Sequence, residues 1–215
     1  MKTIWPNLGL GDAIILAGAV VVLAKRYGKV RFMRLPKNEV SVRSFFVDHP
    51  DIVVECVSDD VKPIPDDILV GWDNKDDPPR PSESFDQWFY RQLDIPLSES
   101  WDSCPLREAA LACYQEVQPK EPYRFVHDDC ERGFVINTSS TLLSIRPTPI
   151  PTTQSILRYA HMIENAETVW CIDSAFLHLT DRLKPKGKLY WVRTARPEAN
   201  IPFHLVKLRH NWNIL

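Results

Sequence analysis

Asp12 ends the turn Gly9-Leu10-Gly11-Asp12, and three of the chain's seven glycines fall between positions 9 and 18. A short apolar stretch precedes this turn and a long one, residues 13–24, follows it. That is the order in which a first strand hands over to a first helix in nucleotide-binding folds. Gly9 and Gly11 suit a backbone that comes close to a ligand, yet a carboxylate is a poor host for phosphate. The third glycine of a dinucleotide fingerprint is missing, with Ile14 in its place, and Arg31 stands where the acidic ribose ligand would be. Two roles are then open to Asp12. It caps a helix over residues 13–27 by accepting from free backbone N–H groups, or it acts as a general base for a substrate hydroxyl at the rim of an α/β cleft.

A second polar group, FVHDDCERGF, sits at the end of an apolar strand and holds His127, Asp128, Asp129, Glu131 and Arg132. One histidine beside adjacent acids is not a convincing metal-ligand set, so no metal is expected. The stretch reads either as a polar turn with an Asp cap or as a ligand loop. In the loop reading Arg132 meets phosphate and the acids hold sugar or ribose hydroxyls. A third group, CIDSAFLHLTDRL, places Asp173 and Ser174 between a strand and a helix. Free N–H groups and the helix dipole make that junction a natural anion site, with Ser174 able to donate a proton, although a plain cap would look the same. His178 lies one helical turn beyond Ser174 and reads as a packed side chain. No G-x-S-x-G elbow surrounds Ser174, which sets a serine hydrolase aside.

The elements that must carry these groups follow from periodicity. Strands are expected at residues 2–5, 29–35, 51–57 and 66–73, with helices over 13–27 and 38–50. A proline-rich polar loop (73–84) leads into an aromatic helix ended by Pro96, and a further helix spans 107–117. A second series has strands at 123–129, 133–137, 141–147, 168–173 and 187–195, with helices over 152–166 and 174–183. Strands alternating with helices imply parallel pairing and an α/β protein of two halves.

At 215 residues, with 44% hydrophobic and 25% charged, the chain can bury a real core. A net charge of -2 argues against a general polyanion binder. The charge is uneven, however. Residues 48–77 hold ten acids and two bases, whereas residues 182–210 hold eight Lys or Arg and one acid. The basic stretch is either a solvated surface or a place that neutralises a diphosphate or a nucleic-acid backbone. Five scattered cysteines without a CxxC spacing point to reduced thiols. The apolar run at 13–24 is too short to cross a bilayer and lacks a cleavage site after it, so a cytoplasmic protein is expected.

Taken in order, these segments resemble sugar-nucleotide glycosyltransferases of the two-Rossmann-domain, or GT-B, architecture. GLGDAIILAG is similar to the opening loop of heptosyltransferase-type enzymes. YRFVHDDCERGF and IENAETVWCIDSAFLHLTDRL resemble second-domain segments of small glycosyltransferases often encoded by viruses or phages. The resemblance implies two Rossmann-like lobes with parallel sheets in an unusually short chain. Residues 1–100 would form an acceptor-side lobe, 101–122 a helical linker and 123–215 a donor-binding lobe. It also implies Asp12 as catalytic base and donor contacts from Asp173, Ser174 and Phe176. His127, Asp128, Arg132 and Arg146 would join them, with Lys186 or Lys188 as reserve cations for the leaving diphosphate.

The reaction implied is transfer from a nucleotide-sugar donor to a hydroxyl, with no resident cofactor or metal and no covalent sugar intermediate. The acceptor is open between a modified DNA base and a glycan or lipid-linked acceptor. Two other readings fit the same scaffold: a non-catalytic module that binds nucleotide or nucleic acid through the basic stretch, and a sugar-nucleotide epimerase.

Overall fold

An apolar run with no polar face must be surrounded on all sides, and helix α1 (Leu10–Tyr27) is surrounded. The computed structural model describes residues 1–7, 9–58, 60–71, 76–138, 141–193 and 207–215. In front of α1 stand β1 (Lys2–Trp5), β2 (Val30–Arg34), β3 (Ile52–Cys56) and β4 (Ile68–Leu69), in the order β3-β2-β1-β4. Behind it stand β5 (Tyr123–His127), β6 (Leu143–Ile145), β7 (Thr168–Cys171), β8 (Lys188–Trp191) and β9 (Trp212–Ile214), in the order β6-β5-β7-β8-β9. Every pairing between these strands is parallel. The fold is therefore α/β with two parallel sheets, as the strand–helix alternation predicts. In the front sheet the order reverses around β1, and in the rear sheet between β5 and β7. Crevices open at the carboxyl ends of strands at such reversals, and the Gly9–Asp12 turn and the residues after β5 and β7 lie at those ends.

One hydrophobic core joins the two halves, running from Ile4 and Phe32 through α1 to Leu177 and Leu189. On its way α1 packs against α2 (Glu39–Phe45), α4 (Glu99–Asp102) and α7 (Ala175–Arg182). α3 (Phe85–Gln92) brings up Tyr90, whose hydroxyl donates to the Ile15 carbonyl at 2.9 Å and accepts from the Ala19 N–H at 3.2 Å. A side-chain oxygen thus stands inside the helical ladder. Gly18 lies beside it because a Cβ there would sit 1.9 Å from the Glu99 carbonyl oxygen. Gly18→Ala must push α4 off α1, and a loss of about 1–3 kcal/mol is expected in urea denaturation.

Several expectations need correction. Helix α1 begins at Leu10, with Gly9 as its N-cap, so Asp12 is not the cap but sits inside the first turn. Residues 133–137 form no strand. Asp128 and Asp129 take the backbone N–H groups of Ile136 and Arg132, and Asp129 bridges to Phe134, which folds the segment into a tight turn. The helix foreseen at 107–117 is α5 (Leu106–Ala112); it stops where the Gln115 amide takes over the Ala110 carbonyl and Glu116 bonds to Arg158. Residues 156–165 split into a 3-10 turn, Ile156–Tyr159, and α6 (Ala160–Asn165). Parts of the strand foreseen at 66–73, the loop at 73–84, the strand at 187–195 and the basic stretch at 182–210, namely residues 72–75 and 194–206, lie outside the described residues.

Strand β9 was not foreseen, and its anchoring is polar. Fully buried Asp181 on α7 accepts from the backbone of Arg209 (2.9 Å) and His210 (3.2 Å) and from the indoles of Trp101 (2.9 Å) and Trp212 (3.1 Å). Asp86 on α3 accepts from the Lys207 N–H at 3.2 Å. The end of the basic stretch is therefore held by its backbone to two buried acids. No helix among the described residues is long and apolar enough to cross a membrane.

Candidate active site

The extended conformation of Gly9 (φ -67°, ψ 151°) lets the Asp12 carboxylate reach back to the Gly9 N–H from the first turn of α1. Below that turn lies Arg34, the last residue of β2. Val30, Phe32 and Arg34 share one face of the strand and all three are 0% exposed, so the guanidinium enters the core layer under α1. It rests 3.5 Å from the centre of the Phe32 ring, and none of its three nitrogens has a hydrogen-bond partner among the described residues. A buried guanidinium at the positive end of a helix is costly unless an acid answers it.

Asp12 is that acid. Burial pushes its carboxyl from 3.8 up to about 6, while the Arg34 charge and the Gly9 N–H pull it back. Burial likewise lowers Arg34 to about 9, against the pull of Asp12 and of the Cys56 thiol. A carboxylate poised near neutrality beside a fixed cation is suited to take a proton and give it back. Arg34 was missed in the sequence, although the two-residue period of VRFMR already puts it on the core face.

The rear half places its polar group at the ends of β5 and β7. Ser174, the N-cap of α7, has its hydroxyl 3.0 Å from His127 Nδ1 and 3.2 Å from the Ile172 carbonyl. Phe176, 4% exposed, packs its ring against that of His127 with centres 4.3 Å apart. A cavity of about 480 Å³ opens here, lined by His127, Asp128, Arg146 and Phe176 together with Glu131 and Ile150. Nearly buried Asp128 accepts from Arg146 Nε and from the Ile136 N–H, both at 3.1 Å, which orients the Arg146 guanidinium on the cavity wall.

Not every predicted residue joins this cavity. Arg132 turns away to pair with Asp129 and lie against Phe134, because the two are three residues apart in one short helical turn. Asp173 is buried (5% exposed) behind the start of α7, and Ser174 stands at the wall rather than in the lining. Lys186 bonds Asn165, and neither it nor Lys188 lines the cavity. His178 is packed, 5% exposed, and burial holds it neutral by pushing it down to about 3.

Gly11 is where the halves meet. A Cβ there would come within 3.4 Å of the His178 ring and 3.9 Å of the Ala175 Cα. The first turns of α1 and α7 thus touch, with Asp12 and Ser174 each one residue from the contact. Asp12 lies at this seam and outside the cavity lining. No group of three His, Cys, Asp or Glu side chains gathers as a metal-ligand set among the described residues.

No family model and no curated protein matches the chain. Solved structures do. Dodecameric iron-containing heptosyltransferase TibC in complex with ADP-D-beta-D-heptose matches with a TM-score of 0.56 at 12% identity, over 94% of this chain and 61% of that one. The iron-containing dodecameric glycosyltransferase TibC from enterotoxigenic E. coli H10407 matches with a TM-score of 0.49 at 11% identity, over the same shares. The chain spans about 61% of the length of the protein it matches, and what it shares with that protein is a glycosyltransferase-like α/β fold.

Proposed function

We propose that the chain is a glycosyltransferase that moves a sugar from a nucleotide-sugar donor to a hydroxyl acceptor. The observation that carries this reading is the Asp12 carboxyl, poised near 6 beside Arg34, at the contact between the first turns of α1 and α7. The ADP-heptose in the TibC structure supports a nucleotide sugar as the donor class.

The donor would enter the cavity at the ends of β5 and β7, its diphosphate facing Arg146 and the N-terminal end of α7. Backbone N–H groups there favour negative charge. Ser174 and His127 would hold the group between phosphate and sugar, and Phe176 would fix the His127 ring. The acceptor hydroxyl gives its proton to Asp12 as its oxygen attacks the anomeric carbon. The bond from that carbon to the diphosphate oxygen breaks, and the charge passes to Arg146 and α7. Positioned charge of this kind carries much of the rate, so no covalent intermediate is required.

The test is turnover of a panel of nucleotide sugars with simple glycan and hydroxymethylated-DNA acceptors, after a thermal-shift screen for donors. Release of nucleoside diphosphate that depends on the acceptor is the expected result. Release without any acceptor, or no stabilisation by any donor, would overturn it. Arg146→Ala is expected to lower kcat about a hundredfold as well as raise the donor KM, since it removes a charge that answers the leaving diphosphate.

A further inference from the structure

A second cavity, of about 830 Å³, lies at the C-terminal ends of the helices that meet along the seam. Lys25 of α1, Phe45 of α2 and Arg182 of α7 line it, and Trp101 of α4 forms part of its wall. Lys25 stands thirteen residues along α1 from Asp12, roughly 20 Å away at the helical rise. The space is therefore separate from the strand ends where the donor would sit. Its volume falls within the range of about 300–1,000 Å³ that small-molecule sites occupy, and boundaries between lobes are where such sites occur.

Charge decides first what it can hold. At its floor Asp181 and Arg182 are neighbours and both buried, so carboxylate and guanidinium answer each other. Nearby, burial raises the Asp86 carboxyl and the Arg182 charge pulls against that rise. At the rim Arg209 faces Asp102 at 3.8 Å, and Arg107 faces Glu164 at 3.4 Å. Exposed Lys25, Lys184, Asp48 and Glu108 also line the space, and none of the four makes an ion pair among the described residues. With both signs present throughout, neither an anion nor a cation gains an advantage. A neutral ligand rich in hydroxyls does gain one, because each hydroxyl can donate to a carboxylate or accept from a cation. Bonds to charged partners are about twice as strong as neutral ones. Hydroxyls also reproduce the hydrogen bonds of the water they displace.

Two half-buried imidazoles add uncharged partners, one from each half. The His49 ring meets Phe46 edge-on and makes no hydrogen bond among the described residues. His210 donates from Nε2 to the Leu183 carbonyl at 3.0 Å, which leaves Nδ1 as an acceptor. Trp101 supplies the apolar surface. Its Nε1 donates to Asp181 at 2.9 Å, and the Arg182 guanidinium carbon lies 5.8 Å from its ring centre. The indole is thus fixed before any ligand arrives, and its half-buried ring belongs to the cavity wall. A fixed aromatic ring beside two-way polar groups matches a pyranose, which has an apolar C–H face and a rim of hydroxyls.

We propose that this cavity binds a neutral saccharide, with its C–H face on Trp101 and its hydroxyls on His49, His210 and the oppositely charged groups of the rim. A sugar held there touches α1 and α2 of the front half and α7 of the rear half. The site requires no chemistry at Asp12, so it stands or falls independently of the transfer reaction.

Maltotriose and chitotriose are the probes, titrated against the full chain by saturation-transfer NMR. At least one is expected to bind, with a Kd that hardly changes between low and high salt because no net charge is neutralised. Trp101→Ala is expected to weaken that binding about tenfold through loss of the ring. The double variant Asp48→Ala/Glu108→Ala changes only exposed residues, so it is expected to fold, as circular dichroism checks, and to weaken binding about fivefold. Arg146→Ala and added nucleoside diphosphate, both directed at the donor cavity, are expected to leave it unchanged. Trisaccharide that is displaced by the nucleotide or lost in Arg146→Ala would overturn the proposal. So would a Kd that neither Trp101→Ala nor the double variant alters, or no binding of either trisaccharide.

Discussion

Asp12→Asn is expected to abolish transfer and, at the same time, to make the protein more stable. The catalytic loss follows from the role of a general base, whose removal costs about 10²–10⁴ in rate. The gain in stability follows from linkage. The Asp12 carboxyl moves from an ordinary 3.8 to about 6 in the folded chain, so the folded state holds the proton more tightly than the unfolded one. Below 3.8 both states are protonated and the site costs nothing. Above about 6 both are ionised and the full penalty is present, on the order of 2–3 kcal/mol at about 1.4 kcal/mol per unit.

Asparagine mimics the protonated form, so its advantage grows as pH rises from about 4 to 6 and then stays level. Thermal melts of both proteins across that range measure it, alongside kcat/KM for the best donor. An asparagine variant that keeps full activity removes Asp12 as the base. One that is less stable at neutral pH than the wild type removes the account of its ionisation.

Arg34→Met carries the second large effect. The Arg34 charge is the largest influence pulling the Asp12 carboxyl down against burial. Without it the acid limb of the pH–rate profile moves upward from about 6, and less of the base is ionised at neutral pH. Activity is expected to fall at pH 7 and to recover as the solution is made alkaline, which Asp12→Asn cannot do. Arg34→Lys keeps a cation and should hold the limb near its original place.

The other charged or titratable neighbours are Cys56 on β3 and, hydrogen-bonded to that thiol, Glu39, which Arg43 already pairs. None replaces the guanidinium. Stability at neutral pH is expected to fall, because removing one partner of a buried pair leaves the Asp12 charge uncompensated, and to recover as Asp12 takes up a proton at lower pH. An unmoved acid limb in Arg34→Met is the result that would separate Arg34 from Asp12.

Much of this architecture was legible because it rests on local period. The alternation in KVRFMRL, the apolar run at 13–24 and the strand TVWC each declare their type, and all appear as β2, α1 and β7. The placement of Asp12 after β1, of His127 at the end of β5 and of Ser174 after β7 followed from the same reading. What could not be read depends on contacts between distant segments. Arg132 and Arg146 look alike as cations, but Asp129 lies three residues from one and Asp128 eighteen from the other, and only the fold shows which pairing leaves a guanidinium on the cavity wall. Strand β9 is too short to announce itself and exists because Asp181 collects the N–H groups beside it.

The two buried acids that grip the chain's last turn have a mechanical consequence. Asp86 rides on the front half and Asp181 on the rear, yet both hold backbone amides between Lys207 and His210. Those few residues act as a buckle across the seam. Swinging the halves apart would strip water-excluded carboxylates of their donors, so a wide hinge motion of the kind open in unbuckled two-lobed enzymes is closed to this chain. On the proposed function, substrates would enter by side-chain rearrangement at the strand ends, with the halves held at nearly constant separation.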